Sequence, residues 1–160
     1  MHASVLSWVA KTAADNDLRH ARVLEVGSAD VNGSVRRVFR GPYIGVDWQA
    51  GVGVDVLASA HALPFGDSRF DVVVSTEALE HDTRPWRSAP EMARVLVTGG
   101  WLLLTCRGYD PRGCFPIHDP PDYWRYSPPG VAHLLDEAGF EGSVDPDPQC
   151  PGVFAIGRKI

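Results

Sequence analysis

The sequence predicts an α/β fold: an open, mostly parallel sheet that ends in a C-terminal antiparallel hairpin. Three observations predict it. Short aliphatic runs recur along the chain with turn residues at their ends, and helical spacing of apolar residues falls between several of them. The last two runs differ, because only proline-rich turn residues separate them. A chain of 160 residues can bury one substantial core but not two, so a single domain over 1–160 is expected.

Residues 3–16 carry Val5, Leu6, Trp8 and Val9 on one side and read as a lid or packing helix. Residues 22–26 form a buried-strand pattern closed by Gly27, and the spacing of Val35, Val38 and Phe39 predicts a helix over 32–39. Further strands are expected at 43–46 ending in Asp47, at 55–57, at 71–75 and at 101–105. Only a short stretch, 48–54, joins the second strand to the third, and 60–70 is equally brief, so the helices between strands 2, 3 and 4 are abbreviated. That leaves apolar sheet surface near Val52, Val54 and Val56 to be covered by a second copy, and a homodimer is expected. Helices follow at 85–96, stopped by Thr98-Gly99-Gly100, and at 128–138, stopped by Gly139. Residues 142–147 and 153–158 supply the antiparallel pair.

Composition narrows the function. Hydrophobic residues make up 44% and charged residues 22%, as in ordinary folded domains. The net charge is −5 with scattered basic residues, Arg36, Arg37 and Arg40 being one local cluster, which argues against a nucleic-acid partner. No run reaches membrane-spanning length and the N-terminus lacks a signal-peptide pattern, so a cytoplasmic protein without a membrane partner is expected. Cys106, Cys114 and Cys150 form no C-x-x-C pair, which points to reduced thiols and no metal site.

In an open parallel sheet, ligands bind at the carboxyl ends of the strands where strand order reverses. The first strand runs into Gly27-Ser28-Ala29-Asp30, where Gly27 lets the backbone approach a ligand, and Asp47 offers a carboxylate for ribose hydroxyls. A dinucleotide turn would need G-x-G-x-x-G, but Ala29 and Asn32 occupy the second and third glycine positions. Glu25 and Asp30 would also repel a pyrophosphate. A cationic sulfonium with an ammonium group suits this turn better. Read locally instead, Gly27 is a turn glycine, Asp47 a helix cap or loop residue, and Glu25 a strand end.

Four segments then make a joint pattern in the expected order: Val23-Leu24-Glu25-Val26-Gly27-Ser28-Ala29, Ile44-Gly45-Val46-Asp47, the stretch 60–71 from Ala60 through Leu63-Pro64-Phe65, and Glu77-Ala78-Leu79-Glu80-His81 with 94–100. Together they resemble the small class I S-adenosylmethionine-dependent methyltransferases, of the type 11-like kind, along nearly the whole chain. The resemblance implies a Rossmann-like methyltransferase sheet and S-adenosylmethionine as cofactor. It implies cofactor contacts from Glu25, Gly27, Ser28, Ala29, Asp47, Trp48, Ser59, Ala60 and Thr76. Two positions depart from the family pattern: Ala29 replaces the usual second glycine, and Ser59 stands where many relatives carry aspartate. Trp48 either covers the adenine or packs in the core.

The connection 107–127 is long for a compact domain and rich in aromatic residues, so it is expected to cap the acceptor. Tyr109, Tyr123, Trp124 and Arg125 are its candidate acceptor-binding residues, and Arg125 could pair with an acidic group. His118, with His81 as the alternative, is the candidate general base, because both follow strand ends and histidine titrates near neutral pH. Asp119-Pro120-Pro121-Asp122-Tyr123 resembles the D-P-P-Y motif of DNA amino-methyltransferases in composition but not in position, since Ser75-Thr76-Glu77-Ala78 follows the fourth strand. The expected function is methyl transfer to an oxygen or nitrogen of a small-molecule or glycan-like acceptor. A non-catalytic binding protein on the same fold is the alternative, with a nucleic-acid methyltransferase behind it.

Overall fold

As a computed structural model, the chain is described over residues 3–31, 33–110 and 121–160. The sheet is built from β1 (Val23–Val26), β2 (Tyr43–Asp47), β3 (Val56–Leu57), β4 (Phe70–Thr76), β5 (Leu96–Arg107), β6 (Phe140–Pro146) and β7 (Gly152–Lys159). Their spatial order is β3-β2-β1-β4-β5-β7-β6. Leu24 in β1 sits opposite Ile44 and Val73, parallel to both neighbours. Strand β7 returns antiparallel between β5 and β6, pairing Leu103 with Ile156. The expected hairpin is present, and its second strand is the one that joins the parallel sheet.

Alternation along the strands makes two cores. Leu24, Val26, Val73, Leu102 and Leu104 face one side, where they pack with Met92 of α2 (Pro85–Val95) and with Val131 and Leu135 of α3 (Pro128–Glu137). Val23, Val72, Val74 and Leu103 face the other, against Val5, Val9 and Ala13 of α1 (Ala3–Asp15). Helix α1 is therefore a packing helix. Ser127 caps α3 by accepting from the Gly130 N–H, and prolines fill the first helical positions of α2 and α3, where no N–H is needed.

The helix expected over 32–39 is a correction: a single 3₁₀ turn, Arg36–Val38, stands there. Gly33 has φ +125° and donates its N–H to the Asp30 side chain, a local bond that competes with helix formation. Val35 and Phe39 nevertheless reach the α1-side core, so their spacing reflects burial without regular structure. A second correction concerns β5, which starts at Leu96, directly after α2. The expected stop at 98–100 lies inside the strand, with Gly99 at φ +74° and the β4 pairing shifted between Phe70 and Val72. No helix separates β2 from β3 or β3 from β4, as anticipated. Val56 packs against the core, whereas Val52 and Leu57 are exposed. No helix among the described residues is long and apolar enough to cross a membrane.

Candidate functional site

Strand order reverses between β1 and β4, so their following loops diverge and leave a crevice at the carboxyl end of the sheet. Gly27 turns at φ +82°, and a Cβ there would stand 2.5 Å from the Ala78 methyl beyond β4. The two loops meet at a point where only glycine fits. Gly27 and Ser28 both donate N–H groups to the Val46 carbonyl, which fastens the turn to β2. Asp47 closes the same corner: Oδ2 accepts from the Ala29 N–H at 3.2 Å and Oδ1 from the Gln49 N–H at 3.1 Å. Each carboxylate oxygen keeps a lone pair for a diol hydroxyl.

The other cofactor candidates divide. The Ala29 methyl faces the β2–β3 loop, 3.8 Å from where a Gly51 Cβ would be, so the second-glycine departure is accommodated without a clash at that point. Ser28 is buried with its Oγ against Gly45 and without a hydrogen-bonding partner among the described residues. Glu25 is buried beneath the turn and accepts the Tyr43 hydroxyl proton at 2.9 Å. Burial lifts its carboxyl to about 7, against the lowering effect of Tyr43 and Arg36, and burial likewise raises the Tyr43 hydroxyl. Trp48 is 63% exposed, which rules out core packing and leaves its ring open beside Asp47. Ser59 uses its Oγ to accept the His61 N–H, Ala60 packs at the core margin, and Thr76 is buried opposite Thr105.

Across the crevice, Glu77 occupies the left-handed region at φ +52°, uncommon for a residue with a side chain and frequent at functional sites. Its carboxylate turns toward β5, accepting from the Thr105 hydroxyl at 3.3 Å with the Arg107 Nε 3.6 Å away. A 3₁₀ turn, Leu79–His81, follows. The segment 121–126 lies on it through main-chain bonds: Tyr123 and Trp124 N–H groups both donate to the Glu80 carbonyl, at 2.7 and 3.2 Å. The Tyr126 hydroxyl donates to the Leu79 carbonyl and the Trp124 indole N–H to the Asp82 carbonyl. His81 Nδ1 is 3.3 Å from the Pro121 carbonyl oxygen and 3.1 Å from Asp122 Oδ1, and Asp122 also pairs with Arg125. Tyr109 and Tyr123 are exposed. His118 lies outside the described residues.

Sequence reasoning missed three groups. Asp82 is a hub, accepting from the Arg84 N–H at 2.8 Å and from Ser88 while lying 2.6 Å from His61 Nε2. An aspartate three residues before a helix-starting proline was the available signal. Trp86, 57% exposed on the first turn of α2, meets Trp124 edge to face at 5.9 Å. Glu80 is only 1% exposed.

Residues 36–104 match the family model of a methyltransferase domain. An uncharacterised methyltransferase of Mycobacterium avium is 40% identical over 65 residues, which is 41% of this chain and 24% of that relative. The chain thus matches about a quarter of the length of the curated relative. A methyltransferase of Thermotoga maritima superimposes with a TM-score of 0.71 over 98% of this chain and 91% of its own at 20% identity. The 1,6-didemethyltoxoflavin-N1-methyltransferase of Burkholderia thailandensis, solved with S-adenosylhomocysteine, gives 0.75 over 97% and 78% at 18% identity. The fold is that of the class I methyltransferases, and residues 36–104 carry the match to a methyltransferase domain.

Proposed function

We propose that the chain transfers the methyl group of S-adenosylmethionine to an oxygen or nitrogen of a small-molecule or glycan-like acceptor. The observation that carries this reading is the corner made by the Gly27 turn and the anchored Asp47 carboxylate at the strand-order reversal. Asp47 would hold the ribose diol, the exposed Trp48 face the adenine, and the turn from Gly27 to Ala29 the amino-acid end, with Glu25 acting from below the turn. The bound cofactor supplies a methyl already activated by sulfonium charge. The protein's contribution is then to orient the acceptor and exclude water.

Tyr109, Tyr123, Trp124 and Arg125 would form the acceptor wall. His118, with His81 as the alternative, would take the acceptor proton; support for His81 is its place beyond β4 with Nδ1 beside Asp122, which orients the ring. A homodimer through the edge carrying Val52 and Leu57 accompanies the reading, and sedimentation as a monomer at high concentration would exclude it.

The test is incubation with methyl-labelled cofactor and a fractionated extract of small molecules and glycans. A labelled product supports transfer. Cofactor binding without any labelled product indicates the binding-protein alternative. Given the acceptor, His118→Ala should cut turnover about a hundredfold if it is the base, and a loss under about threefold in both histidine variants would leave alignment as the source of catalysis.

A further inference from the structure

The acceptor wall rests on a buried carboxyl group that the proposed transfer does not use. Glu80 is closed to solvent and its Oε2 has no hydrogen-bonding partner among the described residues, while Asp122 Oδ1 in the segment above it faces only the His81 ring among them. The charged and titratable groups around it come from every neighbouring element. Glu77 follows β4, His81 lies on the same turn with Asp82 after it, Cys106 and Arg107 lie on β5, and Asp122, Arg125 and Tyr126 lie on the covering segment. Among the described residues Glu77 faces Arg107 and Asp122 pairs with Arg125. An ionised Glu80 would place negative charge beside Glu77 and Asp122 in a site closed to water, against which the Glu80 and Arg107 main-chain N–H groups act only in part.

We propose that Glu80 is a positioning residue whose neutral acid fastens segment 121–126 over the end of β4, and whose ionisation loosens that segment. As the acid, it carries no charge on the buried Oε2 that otherwise lacks a partner; on ionisation that proton goes to solvent. The same residue carries the main-chain carbonyl that receives the Tyr123 and Trp124 N–H groups, so a shift of Glu80 is felt directly by the wall. Burial, reinforced by Glu77 and Asp122 and only partly opposed by main-chain N–H groups, raises the carboxyl well above its ordinary range, so the acid persists toward neutrality. In the loosened state the carboxyl is solvated and titrates in the ordinary range near 4.5. The docked state therefore holds one more proton between those limits, and docking strengthens as pH falls through that window. That the segment borders an acceptor rests on the methyl-transfer reading; the docking itself does not.

The experiment is amide hydrogen exchange at Tyr123 and Trp124 without cofactor or acceptor, from about pH 5.5 to about pH 7.5, each rate divided by its intrinsic rate. The opening equilibrium is expected to rise about tenfold per pH unit in the wild type. Glu80→Gln, neutral at every pH, should abolish the slope and stay as protected at the upper end as the wild type is at the lower. Leu103 in β5 reports global opening, in which Glu25 and Glu80 both release protons, so the wild-type result stands even if the variant folds poorly: Tyr123 and Trp124 opening more readily than Leu103 with their own pH slope supports the latch, and opening equilibria equal to those of Leu103 at every pH overturn it. A flat wild-type profile, or a Glu80→Gln profile with the wild-type slope, also overturns it. Because no methyl transfer is read, failure of the latch and failure of the enzymatic reading are separate results.

Discussion

The two sides of the crevice are built differently. On the β1–β2 side the chain makes its corner from backbone: a left-handed glycine, N–H groups converging on Val46 and Asp47, and a loop threaded past Gly45 and Gly53 where side chains would collide. On the β4–β5 side the corner is made of acidic side chains, the partly buried Glu77, Asp82 and Asp122 facing a guanidinium or an imidazole and the buried Glu80 beneath them. A backbone corner suits a ligand that many proteins share. A side-chain corner can be changed residue by residue, and it is where the specificity of this chain for its acceptor is expected to reside.

If that division is right, the largest effect should come from adding a side chain to the backbone corner. Gly27→Val forces an L-residue into the left-handed region, costing about 1–2 kcal/mol, and drives its Cβ into Ala78. Its denaturation midpoint should fall by at least about 2 kcal/mol of stability, with loss of cofactor binding. A variant as stable as the wild type would show that the loops separate freely.

Comparable in size is the pH response of the carboxyl beneath the turn. The folded Glu25 keeps its proton to about 7 and the unfolded chain releases it near 4.5, so the native state binds more protons in between. Stability therefore falls as pH rises across that window and levels off above it, by an amount on the order of 3 kcal/mol for this group. Glu25→Gln should flatten most of that decline in urea titrations, leaving the parallel contribution of Glu80.

On the other side, Asp82→Ala strands the partners of the hub and should cost about 1–3 kcal/mol in urea midpoints. Where the two sides act independently, cofactor affinity should stay within about twofold even though Asp82 holds the His61 ring next to Ser59. Coupling of the two sides would appear as a larger loss. The smallest effect on folding is expected for Trp48→Ala, within about 0.5 kcal/mol because the ring is exposed, while S-adenosylhomocysteine affinity drops about threefold to tenfold from lost stacking.

The same contrast decides what could be read from the sequence. The strand-to-turn run ending at Gly27 and the aspartate closing β2 are local: their roles follow from an aliphatic run and the residue that ends it. The strand pattern was legible for that reason, and so was the C-terminal pair. The segment 32–39 was misread because Val35 and Phe39 are buried by tertiary contact at a spacing that imitates a helix. Asp82, His61 and Ser88 come together across loops with no periodicity to betray them. Glu80 looks like an exposed neighbour of His81 until a segment some forty positions later folds over it.

The central claim is that the crevice corner at Gly27 and Asp47 binds the cofactor. Calorimetric titration of S-adenosylhomocysteine into the wild type, Asp47→Asn and Asp47→Ala tests it most directly. Two charge-assisted hydrogen bonds to a ribose diol should make the alanine variant at least about tenfold weaker, with the asparagine variant in between. Without ligand the asparagine variant should melt close to the wild type, and the alanine variant somewhat lower because the Ala29 and Gln49 N–H groups lose their acceptor. Wild-type protein that gives no binding heat at millimolar ligand, or an alanine variant that binds as tightly as the wild type, would contradict the assignment.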